Sequence, residues 1–334
     1  MLVSWVHDMR KDGVPVTSSM LRIMAMKAAI DEGYNKDEFR APCDTNGGGI
    51  AERTKFAERV QQLVSDHGIA VIYNADQTAV NYEYLPTKTI NGISEKTVWV
   101  KCGGKTKKRD TAMVLADTTG AKHPLFLVLR TTKSKIKAVV QDNLEQRQGF
   151  GKLLWKSVEP IQVQYDCHIY GNPIAWWNSK ISLEFLELNF ARRPDRATKK
   201  VLLLWDDFSA HFTDEVVAYA KSINVVLERI PPRFTWICQP TDVAWNRPLK
   251  SRLREKWLDL LRRQIQRSNT TASRFKMQPP SRYTAVSWIT SAWSDLPEST
   301  ILNDFVACHL LVGEEQEVID GGGFVDDDVL EELM

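Results

Sequence analysis

Apolar and polar positions divide the chain into a helical head, a strand-rich middle and a helical tail. Leu2, Trp5, Val6 and Met9 recur at i, i+3, i+4 and i+7, Gly13 and Pro15 interrupt the pattern, and Thr17 or Ser18 can cap a second helix through Ile30. Two helices around a short turn make a candidate DNA-binding unit. The turn-rich CDTNGGG, Cys43 to Gly49, reads as a linker, and Ile50 to His67 as one polar helix. Strand patterns follow at Ile69 to Val80, Thr97 to Cys102 and Thr111 to Arg130, the last folded back at DTTG, so an antiparallel start to a sheet is expected. A helical region includes Ser182 to Arg193. The run VLLLW then drives into Asp206 and Asp207, and a helix capped at Thr213 leads to VVLERI, a strand-helix-strand unit that signals parallel pairing. Beyond Pro240, Leu249, Leu253, Trp257, Leu260, Leu261 and Ile265 keep helical spacing, and Ser281 to Leu311 reads as two helices broken at Pro297. A mixed sheet flanked by helices, an α/β domain, is the expected architecture.

Composition narrows the classes. A chain of 334 residues with 43% hydrophobic positions can bury a sizeable core. It contains no uninterrupted apolar run of the roughly 18 residues a membrane span needs, and its N-terminus is charged where a signal peptide is apolar, so no membrane partner and an intracellular setting are expected. Five scattered cysteines form no C-x-x-C pair, and six histidines show no metal-ligand spacing. The net charge of +2 conceals an asymmetry: Glu314 to Met334 holds nine acids and no Lys or Arg, leaving 44 basic against 33 acidic residues elsewhere. A basic body of that size fits a polyanionic partner.

Four acids are candidates for chemistry: Asp76 in NADQT, Asp206 and Asp207 in WDDFSAH, and Asp242 in QPTDVAWNRPLK. Asp76 and Asp206 lie at or near the ends of strand patterns, where open α/β sheets bind ligands, and Asp242 follows Thr241, an N-cap candidate. Each alone also reads as a turn or cap residue. In combination, carboxylates from separate segments are what a pair of hard divalent cations about 4 Å apart requires.

The ordered series NADQTAV, WVKCGGKTKKRDTAMVLADTTGAKHPLFLV, NPIAWWNSKISLEFL, LLLWDDFSAH and QPTDVAWNRPLK resembles the DDE endonuclease domain of pogo/Tigger-type transposases. RKDGVPVTSSMLRIMAMKAA resembles the second half of the centromere protein B-type helix-turn-helix of the same proteins. The resemblance implies an RNase H-like mixed sheet behind a small N-terminal all-α segment. It divides the chain into a partial helix-turn-helix at 1–42, a linker and helix at 43–68, the endonuclease domain at 69–267, a helical extension at 268–311 and an acidic, disordered tail at 312–334. It further implies metal-dependent DNA cleavage and strand transfer with Asp76, Asp206 and Asp242 as ligands of two Mg²⁺ or Mn²⁺ ions. Asp207 and His211 are auxiliary candidates; His211 either orients Asp206 or a phosphate, or is a satisfied structural imidazole. The implied partner is double-stranded DNA, including transposon ends, the implied assembly a homodimer and the implied location the nucleus.

Two departures stand out. The family's D-E-T is Asp76-Gln77-Thr78 here, removing a charge, and its D-N is Asp206-Asp207, adding one. The chain also begins inside the helix-turn-helix region, so impaired recognition of transposon ends is expected, and a catalytically inactive DNA-binding remnant is the competing reading. Phosphate contacts are expected from Lys105, Lys107, Lys108 and Arg109, from Lys133 and Lys135, and from Lys250 and Arg254. Trp176, Trp177, Trp236 and Trp245 are either base-stacking platforms or core.

Overall fold

The computed structural model describes residues 47–81, 109–270, 275 and 277–311. The N-terminal helix pair, the Thr97 to Cys102 strand, Lys105, Lys107, Lys108 and the acidic tail lie outside the described residues. No helix among the described residues is long and apolar enough to cross a membrane.

Helix α1 (Gly47–His67) leads into β1 (Ile72–Asn81), β2 (Arg109–Asp117) and β3 (Phe126–Arg130). β1 pairs antiparallel with β2, and β2 with β3, as the strand patterns predict. The hairpin turns at Gly120, whose positive φ of 86° suits a residue without Cβ. Helices α2 (Lys137–Gln146) and α3 (Lys152–Tyr165) follow, then β4 (His168–Asn172), parallel to β3. Next come α4 (Ser179–Leu186) with a π turn at Glu187–Ala191, β5 (Val201–Trp205), α5 (Asp214–Ser222) and β6 (Val225–Arg229). A short α6 (Thr235–Cys238), a π turn at Thr241–Trp245, and α7 (Asn246–Thr270), α8 (Arg282–Ser294) and α9 (Glu298–Ala307) complete the described chain.

The six strands run in the order β4-β3-β2-β1-β5-β6, with β5 parallel to both β1 and β6. The five from β3 to β6 make the RNase H-like arrangement, three antiparallel strands extended by two parallel ones, and β4 adds an edge. β4 escapes a pattern search because a Gly sits inside it. Its Gly171 is held against the preceding loop: Gly149 has φ of 88°, and a Cβ there would lie 2.2 Å from the Gly171 carbonyl oxygen.

Strand side chains alternate between two buried faces. One face carries Ile72, Val80, Ala112, Val114, Leu127, Leu202 and Leu204 under α1, α3, α7, α8 and α9. The other carries Ala75, Met113, Phe126, Leu203 and Trp205 under α4 and α5. Both faces being covered explains why VLLLW is apolar throughout. The core runs without a break from α7 into Val286, Ile289, Trp293, Ile301 and Phe305, so the terminal helices close the same core as the sheet.

Local expectations needed three corrections. α1 begins at Gly47, inside the stretch read as a linker. Thr213 stands at the N-cap of α5, but its hydroxyl makes no capping bond and has no partner. Thr241 is not a cap; Pro240 precedes the π turn and the buried Thr241 hydroxyl turns instead to Asn74.

Asp304 on α9 is buried in this shell, and loss of water pushes its carboxyl up to about 8, although the Trp245 indole lowers it somewhat. Its Oδ2 and the Trp245 Nε1 are both without a well-aligned hydrogen bond. A folded-state value above the unfolded one means the native state holds the proton longer. The resulting stability is complete below about pH 4 and is lost as pH rises through about 8. Melting temperatures measured from pH 5 to 8 should therefore fall, and Asp304→Asn should flatten that slope.

Candidate functional site

Register places the first two acids together. β1 and β5 are parallel with Asn74 opposite Leu204, so two residues further on Asp76 and Asp206 come level, Asp206 just past the end of its strand. Their parity matches that of Ile72 and Leu204, which directs them to the face covered by α7. Asp207 has the opposite parity. It is bound 2.5 Å from the Arg229 guanidinium, which itself lies over the Phe212 ring at 4.3 Å.

The third acid arrives from the π turn ahead of α7. Asn74 sets its approach: Asn74 Nδ2 donates to the Leu204 carbonyl at 3.2 Å, and its Oδ1 accepts from the Thr241 backbone N–H at 3.0 Å and from the Thr241 hydroxyl. Asn246, one helical turn after Asp242, donates from Nδ2 to Asp76 Oδ2 at 2.7 Å and to Asp242 Oδ1 at 3.0 Å. Those two carboxylates therefore stand no farther apart than the two legs of this amide bridge. Asn246 is itself buried, and its Oδ1 has no partner.

The electrostatics reflect three acids in one region. Asp76 is buried, and its carboxyl is pushed up to about 7, first by burial and then by the charges of Asp242 and Asp206, against the lowering effect of Asn246. Asp206 stays half-exposed beside His211, whose Nε2 is 3.1 Å from Asp206 Oδ1; the contact has ion-pair distance but not hydrogen-bond alignment. Burial lowers the His211 pKa, outweighing Asp206. The ring stacks on Trp205 at 3.8 Å between centroids, so it is packed into the aromatic cluster of the opposite face. Among the described residues no three His, Cys, Asp or Glu side chains converge closely enough to hold a metal ion. Asp76 and Asp242 are bridged by an amide, and Asp206 leans toward His211.

The cationic candidates separate on inspection. Arg109 is exposed and lies 5.3 Å from the centre of the Trp176 ring, which is also exposed. Lys133 and Lys135 are exposed on the loop before α2, whereas Lys250 and Arg254 are half-buried on α7. Arg252 and Lys256 on the same helix are engaged with the Asp295 carbonyl and the Ser291 hydroxyl. Trp177 and Trp245 are core residues, while Trp176 and Trp236 are about half exposed. Pattern reading missed Asn74, Asn246 and Ser182. Asn246 had a signal, since it lies four residues after Asp242 at the entrance to a helix, the spacing that brings side chains together.

The DDE superfamily endonuclease family matches residues 107–305, a span that includes Asp206 and Asp242. The chain belongs to this family. It is 28% identical over 272 residues to the human pogo transposable element with KRAB domain, covering 80% of this chain and 38% of that protein. To the mouse protein of the same description it is 27% identical over 256 residues, covering 75% and 37%. The chain thus spans under two fifths of the length of these curated relatives, and the pogo-type resemblance read from the motifs is shown by them. Among solved structures it is similar to a Mos1 transposase paired-end complex with left transposon end, at 11% identity and TM-score 0.43, covering 86% of this chain and 67% of that one. It is also similar to the Mos1 transposase catalytic domain with Raltegravir and Mn, at 12% identity and TM-score 0.39, covering 85% and 100%.

The Asn74 contacts are buried and span three segments, so Asn74→Ala should orphan the Thr241 donors and the Leu204 carbonyl. Each unsatisfied group costs about 1–3 kcal/mol. Urea unfolding should show a loss in at least that range, with the m-value unchanged.

Proposed function

We propose that this chain is a transposase-type endonuclease that cuts and rejoins DNA strands, with Asp76, Asp206 and Asp242 as its acidic ligands. The observation that carries the reading is the placement of three acids from separate segments: Asp76 and Asp206 come level on neighbouring strands, Asn246 bridges Asp76 to Asp242, and the Asp76 carboxyl is pushed up to about 7, first by burial and then by the charges of Asp242 and Asp206. A structural role alone gives no reason to bring a half-exposed Asp206 and an exposed Asp242 up to a buried Asp76, and carboxyls perturbed by like charges are typical of functional sites.

The donor type suits a hard divalent cation such as Mg²⁺ or Mn²⁺, since Asp76, Asp206 and Asp242 offer only carboxylate oxygens, which would have to draw closer together to hold one. The resemblance implies two ions. Asp76, Asp206 and Asp242 would hold the cation, whose chemistry there would be to lower the pKa of the attacking water and neutralise charge developing on the phosphate. Asp76 contributes from the rigid middle of a paired strand, which limits its motion. Asp206, just past the end of its strand, is half-exposed, with Oδ1 buried against the His211 ring and without an aligned hydrogen bond. Asn246 bridges Asp76 and Asp242, its two N–H donors offsetting their repulsion. Asp207 is held by Arg229 and His211 is an outer neighbour of Asp206.

The substrate in this reading is double-stranded DNA, including transposon ends, and two DNA ends call for a homodimer acting in the nucleus. Exposed Arg109, Lys133 and Lys135 supply phosphate contacts, and half-buried Lys250 and Arg254 on α7 are further candidates. The excess of basic residues outside the C-terminal acidic run supports the same partner.

Nicking of supercoiled plasmid in Mg²⁺ or Mn²⁺ tests the chemistry. Wild-type protein should nick, and Asp206→Ala should lower the rate by about 100-fold or more, the scale of losing a group that stabilises transition-state charge. Equal or absent nicking in both would leave DNA binding without catalysis as the function. For the surface, replacing Lys133 and Lys135 together by Ala should reduce the slope of log K against log salt by about 0.9 for each phosphate these lysines neutralise, measured by fluorescence anisotropy with a DNA duplex.

A further inference from the structure

His211 is fully buried, yet each of its ring nitrogens faces a polar side chain. Nδ1 lies 3.2 Å from Ser182 Oγ. Nε2 lies 2.6 Å from Gln77 Nε2 and 3.1 Å from Asp206 Oδ1. The proton count follows from Ser182. A hydroxyl has one proton to donate. Ser182 gives its proton to the Ala210 carbonyl at 2.9 Å, while its oxygen accepts the Trp177 indole N–H at 2.8 Å. In the contact between Ser182 and His211 the proton therefore belongs to Nδ1.

An imidazole enclosed by Trp177, Trp205 and Phe208 is favoured in its uncharged form, which carries a single N–H. With Nδ1 protonated, Nε2 presents a lone pair, and the Gln77 amide donates to it. We infer that Gln77 and Ser182 are positioning residues that lock His211 in the Nδ1–H tautomer, so that the ring turns a lone pair rather than a proton toward Asp206. Asp206 Oδ1, 3.1 Å from Nε2, lies off the line of that nitrogen and takes no aligned hydrogen bond from it. Resting on the proposed nuclease reading, the lock sets which form of the ring the proposed ligand Asp206 meets; the tautomer itself does not depend on that reading.

Long-range ¹H–¹⁵N correlation spectra of histidine-labelled protein, recorded without divalent cation, read the protonated nitrogen directly. His211 is assigned by the loss of its signals in His211→Gln. The wild type should show Nδ1 protonated and Nε2 bare. Gln77→Glu replaces the donor by an acceptor and should place a proton on Nε2. Ser182→Ala removes the acceptor at Nδ1 and should give a mixture of tautomers; it carries the test alone if Gln77→Glu does not fold. A wild-type ring protonated at Nε2, or a pattern unchanged in every folded variant, overturns the proposal. Because the spectra need no catalysis, a chain that fails to nick DNA leaves this result standing, and a wrong tautomer leaves the nicking test intact.

Discussion

One amide ties the site together. Asn74 sits in β1 with both ends of its side chain spent, Nδ2 on the β5 carbonyl of Leu204 and Oδ1 on the backbone and hydroxyl of Thr241. Each of these groups is buried, and a buried polar group without a partner is costly, so the three segments are held in one relative position. Asp76 lies two residues after Asn74, Asp206 two after Leu204, and Asp242 one after Thr241. Each acid is thus a short, stiff step from the same junction. The polar contact sets the geometry, and the apolar faces around it supply the stability.

The sheet then assigns the neighbours of those acids to opposite sides. Asp76, Asp206 and Asp242 belong to the face under α7, and Gln77, Asp207 and His211 to the aromatic face under α4 and α5. Past the end of β5, Asp206 is near both sides: its charge acts on Asp76, and it lies 3.1 Å from His211. The two positions where the chain departs from the family pattern, Gln77 and Asp207, both lie on the aromatic side. Asp207 is neutralised by Arg229, and Gln77 is turned to His211, so neither change alters the acids themselves.

The terminal helices bear on the same site from outside. Lys122, in the hairpin between β2 and β3, donates to the carbonyls of Trp293, Ser294 and Leu296 where α8 ends. A cation at a helix C-terminus offsets the partial negative charge there, and these bonds satisfy carbonyls the helix leaves open. The antiparallel half of the sheet is thereby fastened to the helices that also pack on Trp245, the residue before Asn246. The placement of the third acid thus depends on α8 and α9 as well as on Asn74.

Much of this was legible in the linear chain. Apolar runs marked β1, β2, β3 and β5, DTTG marked the hairpin, and the strand-helix-strand around Asp214 to Ser222 marked the parallel half, because each of these signals arises among residues close in sequence. Candidate acids were visible for the same reason: they interrupt or end apolar runs. β4 was not, since a five-residue strand with an internal Gly has too little local pattern to register. Nor were the roles of Asn74, Asn246 and Ser182, because their partners are remote: 167 residues separate Asn74 from Thr241 and 170 separate Asp76 from Asn246. A side-chain amide is interpretable only once its partner is known, and hydrogen bonds across such distances exist only after the sheet has formed and the helices have closed over it.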